Sequence, residues 1–139
     1  MKTLIDTCVL SEVQKPGPDP TVVDAIAAIA APDFFLSVIT ISEIVFGIER
    51  LDPGTRKQTL DNWVREIQEQ HADRLLPVDL KVASICGQIT AKAQKQGRTL
   101  STADGLIAAT ALRHDLLLMT RNTKDFDAIG ARIHNPWTD

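Results

Sequence analysis

The sequence predicts an α/β fold, a mostly parallel sheet of four to five short strands with helices on both faces. Two observations carry this expectation. Short apolar runs alternate with segments whose apolar residues recur at helical spacing, the pattern of strand–helix–strand units. The run "LLLMT" (116–120) is apolar almost throughout, as a strand covered on both faces requires. At 139 residues the chain suffices for one domain with a real core, and division would leave two marginal halves. Residues 1–139 are therefore expected to form a single domain.

The elements follow in order. "KTLI" (2–5) reads as a buried strand ending at Asp6. "QKPGPDP" (14–20) is a stiff loop by its prolines and glycine. Val22, Ile26 and Ile29 share a helix face, and Pro32 with Asp33 ends that helix. "FFLS" (34–37) is the second strand. Ile41, Ile44, Val45 and Ile48 fit the i, i+3, i+4, i+7 template, so a helix spans 41–50, with Val45 and Ile48 toward the core. Phe46 leaves that stripe and suits an interface. Leu60, Trp63, Val64 and Ile67 repeat the template after the "DPGT" break. "RLLPV" (74–78) is a third strand. Val82, Cys86, Ile89 and Ala93 mark a long helix that Gly97 stops, and residues 102–113 form another, apolar on nearly every side. "LLLMT" and an edge strand, "ARIHN" (131–135), complete the sheet.

Composition narrows the class. Apolar residues make up 44% and charged residues 24%, a folded rather than a disordered balance. A net charge of −3 lacks the basic footprint of a nucleic-acid binder, so such a partner would need a cation or a localised basic patch. Cys8 and Cys86 stand far apart without a Cys-x-x-Cys and read as reduced, core-like thiols. "MKTLIDT" is no secretory signal, and Pro32 and Asp33 interrupt the most apolar stretch too early for a membrane span. A soluble cytoplasmic protein is expected.

In parallel sheets the ligand crevice lies beyond the carboxyl ends of the strands. Asp6 follows strand one, Glu43 lies early in the helix after strand two, Asp104 opens its apolar helix, and Asn122 and Asp125 follow "LLLMT". Carboxylates meeting at one edge repel and raise one another's pKa unless a cation joins them. Oxygen ligands suit Mg²⁺ or Mn²⁺, and His71, His114 and His134 are too scattered for zinc. A structural role competes for each acid. "TISE" (40–43) is a capping box with Thr40 as N-cap, and "STAD" (101–104) has the same pattern. Acids in a first turn also suit the helix dipole, and Asp125 fits turn chemistry. Asp6 precedes no evident helix.

The stretches "LIDTCVLSE" (4–12), "LSVITISEIVFGIE" (36–49), "TADGLIAATALRHDLLLMTRNTKDF" (102–126) and "HNPW" (134–137) occur in an order that resembles PIN domains, specifically VapC-type and FitB-like ribonuclease toxins. The resemblance implies a three-layer α/β/α fold and metal-dependent hydrolysis of RNA phosphodiesters. Asp6, Glu43 and Asp104 match the family's metal-binding acids; Asn122 stands where many members carry a fourth, which puts a second ion in doubt. Cys8 replaces a frequent asparagine. Thr7 and Thr120 match small hydroxyl residues near such sites. The resemblance also implies a homodimer through early helices, and a small antitoxin that occupies the groove and carries operator DNA binding. Lys15, Lys92, Lys95, Arg98, Arg121 and Lys124 are candidate phosphate contacts, and Trp137 is expected against the sheet edge.

Three other readings compete. A receiver-like Mg²⁺-binding signalling domain also gathers acids at strand ends, but wants adjacent acids after strand one, and "IDTC" offers only one. A PIN-fold binding module with weak catalysis, acting through its antitoxin–DNA complex, would fit Asn122; a metal-dependent phosphatase or DNase would use similar geometry.

Overall fold

The computed structural model describes residues 1–139 with the side chain of Ala128 excepted. The chain runs β1 (Thr3–Ile5), α1 (Thr7–Glu12), α2 (Pro20–Ala27), β2 (Phe34–Ser37), α3 (Val38–Glu49), α4 (Thr55–Gln70), β3 (Leu75–Leu76), α5 (Leu80–Lys95), α6 (Thr102–Arg113), β4 (Leu117–Met119), α7 (Thr123–Phe126) and β5 (Ile133–His134). The five strands pair in parallel in the order β3-β2-β1-β4-β5.

This order places the site. From β1 the chain works outward through β2 to β3, then returns past β1 to lay down β4 and β5. The connections leaving β1 and β4 therefore diverge to opposite faces, and a crevice opens between their carboxyl ends. Successive strand residues point to opposite faces. Leu4 and Leu118 thus join Ile89 of α5 and Ile107 of α6 in one core, whereas Ile5 and Met119 join Val9, Ile44 and Val64 in the other. The result is a three-layer α/β/α arrangement with α1–α4 on one side and α5–α6 on the other.

"FFLS" and residues 102–113 form their elements with the bounds expected from the sequence. Other local readings are corrected. α3 starts at Val38, and its N-cap is Ser37, whose hydroxyl accepts from the Ile39 N–H at 3.0 Å. Thr40 is therefore not a cap; it is fully buried in the helix. Asp6 does cap a helix, the six-residue α1, accepting from the Thr7 N–H. Val45 is 38% exposed rather than part of the core, whereas Ile48 is buried and Phe46 stands out at 63%. Cys86 is buried as expected, but Cys8 is exposed. No helix among the described residues is long and apolar enough to cross a membrane.

Candidate active site

Asp6 extends β1 by one rung, its N–H donating to the Met119 carbonyl of β4 at 3.0 Å. The backbone thus fixes the side chain at the crevice. The residue is 5% exposed, and both carboxylate oxygens accept hydrogen bonds. Oδ1 accepts from the Thr7 N–H at 2.8 Å and Oδ2 from the Thr120 hydroxyl at 2.7 Å. Such bonds offset much of the cost of burying the charge. Thr120, itself fully buried, also accepts the Asn122 N–H at 3.0 Å, so one hydroxyl ties the end of β4 to Asp6.

A second link crosses to α3. The Thr7 hydroxyl donates to Glu43 Oε1 at 2.7 Å and lies 3.2 Å from the Thr40 hydroxyl. Glu43, half-buried in the second turn of α3, is thereby held toward the β1 end. Asp104 stands in the first turn of α6, where the Ser101 hydroxyl caps its N–H at 3.1 Å, as the "STAD" pattern predicts. Burial foremost, then the negative charge of Asp6, push the Asp104 carboxyl above the usual aspartate range; Ser101 opposes this, and Glu43 and Asp125 add to it. Asp104 therefore stands in the field of three other carboxylates, Asp6, Glu43 and Asp125. No Lys or Arg forms an ion pair with any of the four among the described residues.

Chemically, these oxygen donors fit a hard divalent cation. Geometrically, no three His, Cys, Asp or Glu side chains among the described residues already form a closed ligand set. Thr7 bridges two of the acids, its N–H donating to Asp6 and its hydroxyl to Glu43, whereas Asp104 is held by the start of α6. Cys8 adds no nucleophile. Although the residue reaches solvent, desolvation around its sulfur and then the Asp6 charge push the thiol up to about 11, leaving it protonated near neutral pH.

The expected phosphate contacts separate. Lys15 pairs with the buried Glu12 at 3.0 Å, where Glu12 also accepts the Asp19 N–H and ties down the proline loop. The Arg121 guanidinium lies 4.7 Å from the Trp137 ring centroid, and Trp137 packs on the α1–α4 side of the core. Arg98 donates to the Lys124 carbonyl beyond α6, and Lys92 and Lys95 are exposed in the last turn of α5. A groove of about 290 Å³ runs from Glu43 between α3 and α4, lined by Ile44, Gly47, Leu60 and Trp63. Helical periodicity placed Leu60 and Trp63 on a core stripe and gave no sign of the groove. Gly47, a small residue in mid-helix, was the available signal.

The PIN domain family model matches residues 3–131. The chain is 39% identical to Toxin FitB of Neisseria gonorrhoeae across 98% of this chain and 99% of that protein. It is 37% identical to VapC ribonuclease Y4jK of Sinorhizobium fredii, covering 96% of each. The crystal structure of FitAcB from Neisseria gonorrhoeae superposes with a TM-score of 0.93 at 38% identity, covering 99% of both chains. FitAB bound to an IR36 DNA fragment superposes at 0.94 with 37% identity, covering 99% of this chain and 96% of that one. Together with the five-stranded parallel sheet and the acids at its switch point, these likenesses show that the chain belongs to the PIN-domain family, in the group of the FitB and VapC toxins.

Proposed function

We propose that this protein is a divalent-metal-dependent endoribonuclease, the toxin of a toxin–antitoxin pair, using Mg²⁺ or Mn²⁺. One observation carries the reading: the buried Asp6 at the end of β1 and Glu43 of α3 are held by Thr7, their charges and that of Asp125 act on Asp104 at the start of α6, and no Lys or Arg among the described residues forms an ion pair with any of the four. PIN-domain ribonucleases are in general divalent-metal enzymes. Asp6, Glu43 and Asp104 would hold the ion. When bound, it supplies Lewis acidity to the phosphodiester and to a water molecule.

The chain's own residues then have distinct tasks. Asp6 contributes a charge already oriented by Thr7 and Thr120, so little reorganisation is needed on binding. Thr7 holds Glu43 through Oε1. Asp104 is presented by a capped helix terminus beside Asp6. Asn122 offers a carbonyl and an amide where a charge is missing, and would orient water or an RNA oxygen. Burial of Asp6 excludes bulk water from one side of the site. A polyanion approaching these acids meets repulsion unless the ion is present.

The neutralising partner is read from the complexes that resemble this chain, FitAcB and FitAB on DNA. A small antitoxin would place an apolar segment in the groove beside Glu43 and bring the pair to operator DNA. A second copy of the chain would cover the exposed Val38, Val45 and Phe46 of α3. A cytoplasmic location fits both partners. The receiver-like reading falls with the family assignment.

Purified protein incubated with Mn²⁺ or Mg²⁺ is expected to cut RNA, and comparison of the two ions identifies the cofactor. Asp6→Asn and Asp104→Asn should each lose at least about a hundredfold in rate, since removing even an outer-shell partner typically costs 10–100-fold. Equal behaviour of wild type and both variants on every RNA tested would return the protein to a binding module.

A further inference from the structure

A cavity of about 480 Å³ is lined by Arg98, Thr99, Lys124, Asp125 and Asp127. Its size is within the range of ligand clefts. Its lining joins the segment that leads into α6, whose first turn carries Asp104, to α7, which follows Asn122; Asp125 and Asp127 line it beside the two cations. Arg98 is anchored twice. Gly97, at φ +73°, lets the chain turn back after α5, so that the Arg98 N–H donates to the Ala93 carbonyl at 2.9 Å. The guanidinium then donates to the Lys124 carbonyl. One guanidinium N–H is used in this bond; the others form no ion pair, and neither does the Lys124 ammonium, among the described residues.

We propose that Arg98 and Lys124 form a subsite for a backbone phosphate of single-stranded RNA next to the scissile bond. This rests on the ribonuclease reading and goes beyond it by locating the strand. The acidic rim repels a phosphate chain, so the strand needs cations just outside it. A guanidinium fixed at its base presents a planar fork suited to phosphate oxygens, and the adjacent ammonium adds a mobile point charge. Lys15 and Arg121 are already engaged elsewhere, with Glu12 and Trp137. The contact is to the backbone, so it positions RNA of any sequence and adds no base preference.

The test compares wild type, Lys124→Gln and the Arg98→Gln/Lys124→Gln double variant on one RNA oligonucleotide at saturating Mn²⁺. KM should rise about tenfold in the double variant, with kcat within about twofold. The slope of log affinity against log salt should become shallower by about 0.7 per phosphate contact removed. Mn²⁺ affinity should not change. Lys124→Gln breaks no hydrogen bond of the fold, because the carbonyl of residue 124 is the acceptor. If the double variant melts early, the single variant decides. Cleavage with unchanged KM and salt slope overturns the subsite and leaves the ribonuclease reading standing. A loss confined to kcat, or to affinity for a neutralising protein partner, also overturns it. Wild-type protein that cuts no RNA sinks both.

Discussion

Two helical layers reach the same rim of the sheet, and they are packed in opposite ways. In the layer behind Asp104, α6 buries Ile107 together with Gly105, Ala108, Ala109, Thr110 and Ala111, small residues that let it close on α5 and the sheet. A Cβ at Gly105 would come to 3.0 Å from Cys86 Sγ and 3.2 Å from Thr90 Oγ1. In the layer behind Glu43, a Cβ at Gly47 of α3 meets nothing within 4 Å, a groove opens toward α4, and Val45 and Phe46 face outward. The layer carrying Asp104 is filled, and the layer carrying Glu43 leaves a groove. The contrast sets a tightly packed wall behind Asp104 against an accessible one behind Glu43.

The same substitution in the two layers should therefore have opposite signs. Gly105→Ala gains up to about 1 kcal/mol of helix propensity, but overpacking a filled interior costs about 1–3 kcal/mol. A net loss of about 1–2 kcal/mol is expected, a fall in Tm of about 3–6 °C for a chain of this size. Activity should fall with it, because the first turn of α6 holds Asp104. Adding Cys86→Ala removes the opposing sulfur and should recover most of the loss, which a double-mutant cycle by thermal melting would measure. Gly47→Ala, facing open space, should stabilise by about 0.5–1 kcal/mol. If both alanine variants destabilise alike, the contrast between the layers is not one of packing. Gly47→Leu sharpens it: filling the groove should weaken the antitoxin's neutralisation of the toxin, measured by titrating the antitoxin into the RNA-cleavage assay, while RNA cleavage stays intact.

The closed layer was the more legible in the sequence. The α6 segment carries its own cap, Ser101, and a long run of apolar side chains, so its start and end could both be placed. The start of α3 was obscured because "FFLSVITI" stays largely apolar across the strand-to-helix change, and periodicity cannot locate a switch inside such a run. Ser37 was the signal that placed it, not Thr40. α1 has six residues, too few to show a period, so Asp6 gave no sign of being its cap. Asp6 and Glu43 were expected at one edge because each follows the carboxyl end of a parallel strand, and Asp104 because the "STAD" pattern opens its helix there. The threonine hydroxyls that orient the acids depend on tertiary contact, as does the pairing of Arg98 with the Lys124 carbonyl. No local pattern encodes either.

The smallest expected effect is the one that separates the two roles of Asp104. A first-turn carboxylate ordinarily stabilises its helix by about 0.3–1 kcal/mol. Here burial and the charges of Asp6, Glu43 and Asp125 hold the carboxyl above its ordinary value of 3.8, so in the metal-free protein the folded state disfavours the ionised form. The folded state therefore binds the proton more tightly than the unfolded chain, and stability falls as pH rises from 3.8 through the raised pKa. In chelator at pH 7, Asp104→Asn should melt slightly above wild type, and the gap should close as pH falls through that window. Divalent cation should reverse the ranking: an ion at a hundredfold excess over its Kd adds about 2.7 kcal/mol to the protein that binds it. Melting curves with and without Mn²⁺ at two pH values test this. If Asn destabilises the metal-free protein at pH 7, capping and dipole outweigh repulsion, and Asp104 is a structural residue first.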